Sequence, residues 1–297
     1  METNLKRIIG AFVLSLLAFA AAASASDRLQ IVASFSILGD MVRQVTGDLA
    51  DVTTIVGPDA DAHLYHPNTA DAKAVAGADI VFINGLGFET WSEALINNAG
   101  GVVSVIVATV GVEPIVVDGE IDPHAWNALT NGVIYVENIA AAMAAADAGN
   151  ADAYKANAAS YIARLRALHA GAADRFGSLP EDGRTVVTAH DAFGYLADSY
   201  GLNFLAPVGI DTEAEPSASE LAALIAHLKE TGAGALFVEN ITSPALIEQI
   251  SKETGLKIGG RLFSDALSER GGPATSYVAM FEHNLGAIMT ALEDSGS

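Results

Sequence analysis

The chain has 297 residues, with 36 acidic against 15 basic side chains, a net charge of -21 and no cysteine. Such an acidic chain is a poor partner for nucleic acid or an anionic membrane surface, and it is compatible with attracting cations. The lack of cysteine excludes disulfides, thiolate catalysis, cysteine zinc sites and a lipid-modified cysteine.

The first element is a targeting segment. Lys6 and Arg7 form a positive end, Ile8 to Ala23 an apolar run, and Ala23-Ser24-Ala25 a small-residue cleavage site. The run is short for a bilayer span of about 20 residues. Residues 1–25 therefore read as a signal peptide cleaved near Ala25, and the mature chain is expected to be exported and soluble.

From Asp27 onward, short β-rich runs alternate with helical stretches. Strands are expected at 29–34, 52–56, 79–84 and 102–107. A helix is expected at 37–46, and a loop at 57–68 leads into a short helix. This βαβα order is the signature of a parallel sheet. A second loop, 111–122, leads to Asp122-Pro123-His124-Ala125-Trp126.

A helix over 133–146 precedes the longest element, one helix from Asn150 to Gly177. Tyr154, Ala158, Tyr161, Leu165, Leu168, Ala172 and Phe176 share one stripe of it. Asn150 suits the N-cap, Asp152 and Arg175 suit the dipole, and Gly177 is placed to end the helix. At 1.5 Å per residue this is a rod of roughly 39 Å, enough to tie two lobes together.

After the rod the order repeats. Strands are expected at 186–190, 203–208, 235–238 and 256–263, and helices at 192–199, 219–230 and 246–254. A last helix carries His283 near its end. Ile31-Val32 aligns with Val186-Val187 and Gly39 with Gly194, both offset by 155, and Ile80 to Asn84 aligns with Leu236 to Asn240, offset by 156. The expected fold is α/β, with two similar lobes at 26–149 and 178–297, each a parallel sheet flanked by helices. One long rigid helix, 150–177, joins them. In such sheets ligands bind beyond the carboxyl ends of the strands.

Of the seven histidines, His169, His227 and His283 lie in helices and read as surface or partly buried groups. His63, His66, His124 and His190 lie in loops. His63, His190 and Asp265 each follow an expected strand. Neutral imidazole suits zinc, copper, iron or nickel, and three imidazoles with one carboxylate fill a zinc tetrahedron at roughly 2.0–2.2 Å. Asp191 stands beside His190 and could orient its ring. Glu239 and Glu215 are candidates for supporting the site or a lobe contact, with solvated carboxylates the simpler reading. No Gly-x-Ser-x-Gly motif is present, and Asn84-Gly85-Leu86-Gly87 lacks the full dinucleotide fingerprint.

The motifs together resemble the cluster 9 (A-I) metal-binding solute-binding proteins of bacterial ABC importers, and in particular periplasmic zinc-binding proteins of the AztC type. His63-Leu64-Tyr65-His66-Pro67 resembles the family's His-x-Tyr-Glu-Pro loop. Asp122-Pro123-His124-Ala125-Trp126 resembles its Asp-Pro-His-x-Trp motif. Ala189-His190-Asp191-Ala192-Phe193-Gly194-Tyr195 resembles its Ser/Ala-His-Asp-Ala-Phe-Gly-Tyr motif, and Ser264 to Ser268 the segment with the last ligand. Glu213-Ala214-Glu215-Pro216-Ser217 also fits. Two departures stand out. His66 replaces a glutamate and reads as exposed rather than as a spare ligand. Val117 to Ile121 is short and free of histidine where many zinc receptors carry a His-rich loop.

The resemblance implies metal ligands His63, His124, His190 and Asp265, with the ion held between the lobes. It implies a periplasmic zinc receptor, not an enzyme, whose Zn2+ is transported ligand. Its partners would be the zinc ion, a cognate ABC permease of the inner membrane and a periplasmic zinc-donating protein, and a monomer is expected. Manganese receptors of the family often place a carboxylate at the third ligand position, so His190 favours zinc. The alternatives are a manganese receptor, a zinc-dependent periplasmic hydrolase, which would need an open coordination position, and a receptor for a chelate or other organic solute, which would need a wide pocket with aromatic or arginine contacts.

Overall fold

The computed structural model describes residues 28–100, 103–180, 183–231 and 233–295. The expected signal peptide and its cleavage site lie outside the described residues. Among the described residues no helix is long and apolar enough to cross a membrane.

The first lobe contains β1 (Leu29–Phe35), α1 (Ser36–Thr46), β2 (Ala50–Val56), α2 (Thr69–Ala76), β3 (Ile80–Ile83), α3 (Ser92–Asn98) and β4 (Ser104–Val107). A small hairpin, β5 (Val116–Val117) and β6 (Glu120–Ile121), interrupts the loop expected at 111–122. Helix α4 (Leu129–Ala146) and the long helix α5 (Ala151–Gly177) follow. The second lobe contains β7 (Thr185–Val187), α6 (Gly194–Tyr200), β8 (Asn203–Leu205), α7 (Ala218–Thr231), β9 (Ala235–Glu239), α8 (Ala245–Thr254), β10 (Ile258–Leu262) and α9 (Tyr277–Ser295).

Both four-stranded sheets are parallel and have the same strand order. The first runs β2-β1-β3-β4 and the second β8-β7-β9-β10. The internal repeat expected from the sequence is therefore a repeat of topology. Its register differs in one strand: Ile31 pairs with Ile80 and Val186 with Ala235, so β3 and β9 keep the offset of 155, not 156. Asn84, not Ile83, is the counterpart of Glu239.

The lobes differ where β1 and β7 end. β1 passes straight into α1, whereas β7 stops at Val187 and six residues intervene before α6. His190 sits in that interval, bridged to Val208. Phe35, its counterpart in the first lobe, is a buried aromatic.

The long helix is present at about 40 Å for 27 residues. It buries Tyr154, Ala158, Tyr161, Ile162, Leu165, Ala172 and Phe176, with Leu168 only partly covered. Its start is held differently from expectation. Asn150 makes no side-chain cap to the helix. Its amide and the Tyr154 hydroxyl both donate to Asp147 Oδ2, at 2.7 and 2.8 Å. Gly177 falls inside the last turn, and Ser178 closes the helix by donating its N–H to Arg175. His283 lies near the start of α9, not its end, and its Nε2 donates to the Arg261 carbonyl.

One continuous core runs through both lobes, from Ile31 and Phe82 through Trp126 and Tyr154 to Phe193, Phe263 and Phe281. A small separate cluster, including Val187, Leu236 and Ile247, lies in the second lobe. The lobes thus share packed apolar side chains as well as a helix. Interiors of this kind repack in discrete steps and do not deform smoothly.

Candidate metal centre

His63, His124, His190 and Asp265 converge. One donor atom from each lies within 4.8 Å of all the others, and all four residues are buried. Each arrives from the carboxyl end of a sheet or its following loop. His63 is on the loop after β2, where the Asp61 carboxylate accepts from the N–H of His63 at 2.8 Å. His124 follows the β5–β6 hairpin and opens a 3-10 turn, residues 125–127. His190 follows β7, and Asp265 follows β10. The Trp126 indole donates to the Ser264 carbonyl at 2.8 Å, which ties the His124 segment to the Asp265 segment across the lobes.

Four of the donor separations are 3.7 Å or less. His63 Nε2 lies 3.2 Å from His124 Nε2 and 3.3 Å from Asp265 Oδ2. His190 Nε2 lies 3.2 Å from Asp265 Oδ2, and His124 Nε2 3.7 Å from Asp265 Oδ1. His190 Nε2 and both Asp265 oxygens are buried with no hydrogen-bond partner. A buried carboxylate without hydrogen bonds is costly unless a cation sits beside it. These orphaned atoms all point to one spot, as a bound cation requires.

Two further carboxylates fix the ring orientations. Asp122 Oδ1 accepts from His124 Nδ1 at 2.8 Å and from the His124 backbone N–H at 2.9 Å. Glu239 Oε2 lies 2.7 Å from His190 Nδ1, with the geometry of an ion pair, not of an aligned hydrogen bond. Glu239 Oε1 accepts from the backbone N–H groups of Ala189 and His190 at 2.8 and 2.9 Å. Glu239 is therefore buried at the site, against the simpler reading of a solvated carboxylate. Glu239, not the expected Asp191, meets His190 Nδ1, and the Asp191 N–H donates to the Gly209 carbonyl. Glu215 and His66 are exposed.

Electrostatics follow from this packing. Burial alone would lower the pKa of His190, but the carboxylates of Glu239 and Asp265 outweigh it and hold the ring well above the usual imidazole value. Burial alone would raise Asp265, but His190 and His124 hold it well below the usual carboxylate range.

The sequence reading missed the aromatic floor of the site. Phe88 stands edge-on to His63 with ring centres 4.9 Å apart, and packs on Trp126 at 4.6 Å and Phe35 at 5.0 Å. Phe88 is placed by a left-handed turn through Gly85, Leu86 and Gly87, with φ of 86°, 55° and 85°. The buried Glu89 carboxylate fastens that turn by accepting from the N–H groups of Asn84 and Gly85 and from the Ser34 hydroxyl. Burial raises the Glu89 pKa against those hydrogen bonds. The Asn-Gly-Leu-Gly run, which fails as a dinucleotide fingerprint, is the sequence signal for this turn.

Two like α/β lobes around a buried cluster of three imidazoles and one carboxylate define a metal-binding receptor. Residues 31–291 match the family model for the zinc-uptake complex component A, periplasmic, and the chain belongs to this family of periplasmic metal-binding proteins of ABC importers. It is 32% identical to the iron ABC transporter substrate-binding lipoprotein MtsA of Streptococcus pyogenes serotype M1, over 98% of this chain and 99% of that protein. Among solved structures it resembles the periplasmic zinc binding protein TroA of Treponema pallidum, with a TM-score of 0.85 and 27% identity over 89% of this chain and 99% of that one. It also resembles a manganese-bound periplasmic metal binding protein from Candidatus Liberibacter asiaticus. There the TM-score is 0.81 and the identity 32%, over 88% of this chain and 98% of that one.

Proposed function

We propose that this protein is a periplasmic zinc receptor that binds one Zn2+ through His63, His124, His190 and Asp265 and delivers it to an ABC permease of the inner membrane. The single observation that carries the reading is the buried three-imidazole, one-carboxylate cluster with its orphaned donor atoms. One relative is named for iron and one for zinc, and a third is manganese-bound, so the donors of this chain decide the metal. Zinc–nitrogen bonds of about 2.0–2.1 Å place tetrahedral donors about 3.3–3.4 Å apart, close to the 3.2–3.3 Å between His63 and His124 and from His63 and His190 to Asp265 Oδ2, with all four donors within 4.8 Å. Imidazole suits zinc better than the harder manganese ion, which prefers oxygen donors. Four protein donors also fill a zinc tetrahedron, whereas a hydrolytic zinc keeps one position for water. The cavity beside His190, about 520 Å3, is lined by Asp61, Leu64, Thr212 and Glu215 among others, with no arginine, phenylalanine, tyrosine or tryptophan to hold an organic chelate. The relatives' names include lipoproteins, but this sequence has no cysteine to carry a lipid.

The test is metal analysis of the purified protein with competition titration against zinc, manganese and iron(II). One zinc per chain, with His63→Ala, His124→Ala, His190→Ala and Asp265→Ala each weakening it, is expected. Tighter binding of manganese than of zinc, or undiminished zinc affinity in His124→Ala, would overturn the reading.

A further inference from the structure

We propose that Tyr195 is the positioning residue through which the second lobe holds His124 in its metal-ready orientation. The inference rests on the metal-receptor reading and adds a residue that acts through Asp122. Tyr195 is the second residue of α6, in the second lobe. Its hydroxyl donates to the Asp122 carbonyl at 2.9 Å and accepts from the Ile115 N–H at 3.1 Å. Asp122 N–H in turn donates to the Ile115 carbonyl at 2.9 Å, so one phenol closes both ends of the hairpin loop. Asp122 then holds His124 twice, by ring and by backbone.

The neighbour of Tyr195 touches the same aspartate from the other side. A Cβ at Gly194 would lie 2.8 Å from Asp122 Oδ2, a distance real contacts do not reach. Only glycine lets α6 begin against that carboxylate. The second lobe therefore grips Asp122 at its carbonyl and borders its carboxylate. Asn127 adds a third cross-lobe tie by donating to the Ala192 carbonyl at 2.9 Å. His190 differs, because Glu239 orients it from within its own lobe. His124 is thus a ligand whose ring is held through a residue that the other lobe grips. A small displacement of α6 would free Asp122, let the His124 ring turn and loosen the ion without a wide hinge motion.

Tyr195→Phe removes one hydroxyl and leaves the ring. It is expected to weaken zinc binding about tenfold by competition titration, the low end of losses seen when groups supporting a metal ligand are removed. A merely structural role would add to other losses. Here Asp122→Asn should cost less in the Tyr195→Phe background than in the wild type, because both act on one ring. The Nδ1–H resonance of His124, identified by its loss in His124→Ala, should be sharp in the wild type and broadened in Tyr195→Phe. Tyr200→Phe is the control, since that hydroxyl on the same helix meets His169 at 3.2 Å and not the site. Zinc affinity of Tyr195→Phe within twofold of wild type, or losses additive with Asp122→Asn, would overturn the proposal. If Tyr195→Phe does not fold, Gly194→Ala and its cycle with Asp122→Asn decide by the same criteria. Absence of zinc binding in the wild type would count against the receptor reading instead.

Discussion

Glu239 Oε2 stands 2.7 Å from His190 Nδ1, the counterpart of the 2.8 Å contact between Asp122 and His124. In each case a buried carboxylate engages the ring nitrogen that faces away from the cluster, which leaves Nε2 free to bind metal. Glu239 also accepts from two backbone N–H groups, so it fixes the position of residue 190 as well as the side its ring presents to the cluster.

Glu239→Gln should therefore lower zinc affinity by roughly 10- to 100-fold while the lobes still fold. Glu239→Ala should lose more, because the N–H groups of Ala189 and His190 would be left buried without an acceptor, at about 1–3 kcal/mol for each such group. Competition titration for affinity and thermal melting of the metal-free protein separate the two effects. Equal melting temperatures for the Gln and Ala variants would show that the backbone contacts carry no weight.

His190 is also the position expected to set metal preference. Replacing its imidazole by a carboxylate hardens the donor set. His190→Glu should weaken zinc and improve manganese relative to it, read as a fall of at least tenfold in the zinc-to-manganese affinity ratio. An unchanged ratio would place selectivity elsewhere in the site.

Affinity should also depend on pH, and the direction follows from the site. Metal binds the deprotonated ring, so proton and metal compete for His190. Burial favours the neutral ring, but Glu239 and Asp265 hold the proton more tightly than an isolated imidazole would. Raising the folded-state pKa moves the competition upward. Zinc affinity should therefore begin to fall above the ordinary imidazole value of about 6.5 and keep falling toward pH 5. Binding should release protons, measurable by calorimetry in buffers of different ionisation enthalpy. A flat affinity between about pH 5 and 7.5 would contradict this.

Much of this was legible in the sequence because it depends on local signals. The stripe from Tyr154 to Phe176 is a period of three and four, and the helix forms as expected. Strand-rich runs at similar spacing in the two halves pointed to the repeated sheet, and the four motifs that resemble the family's pointed to the three histidines and one aspartate that cluster. What was missed depends on distance in the chain. Glu239, named only as one of two candidate supports, reaches His190 across 49 residues, and nothing next to it reveals which ring it meets. Asp191 looked like the better partner only because it is adjacent. Glu239 stands at the outward ring nitrogen instead. Phe88 reaches His63 only through the left-handed Gly85-Leu86-Gly87 turn, which periodicity cannot show. The one-residue slip between β3 and β9 arose because β3 and the first four residues of β9 are apolar, so their side-chain pattern does not fix register, and aligning Asn84 with Asn240 shifted the match by one.

Metal removal should loosen the loops and spare the rod. His63 and His124 come from the first half of the chain and His190 and Asp265 from the second, so a bound ion cross-links the lobes. An ion that binds only the native state stabilises it by RT ln(1 + [L]/Kd), about 4 kcal/mol when free metal exceeds Kd a thousandfold. For a chain of this size that corresponds to a rise in Tm on the order of 10 °C. The apo protein keeps the shared core and the long helix, whose buried face does not touch the ion. It loses the cation that satisfies Asp265 and His190 Nε2. Hydrogen exchange with and without zinc should therefore differ most at 57–68, 115–127 and 263–268, and least along 151–176. Asp59 and Asp61 add a brake to wide opening. Asp59 accepts from the Asn240 side chain and the Glu269 N–H, and Asp61 accepts from Thr212, so the His63 loop stays bonded to the second lobe. Small-angle scattering should accordingly show nearly the same radius of gyration for apo and zinc-bound protein. A large apo expansion, or exchange differences concentrated along the long helix, would show that the helix, not the ligand loops, responds to the metal.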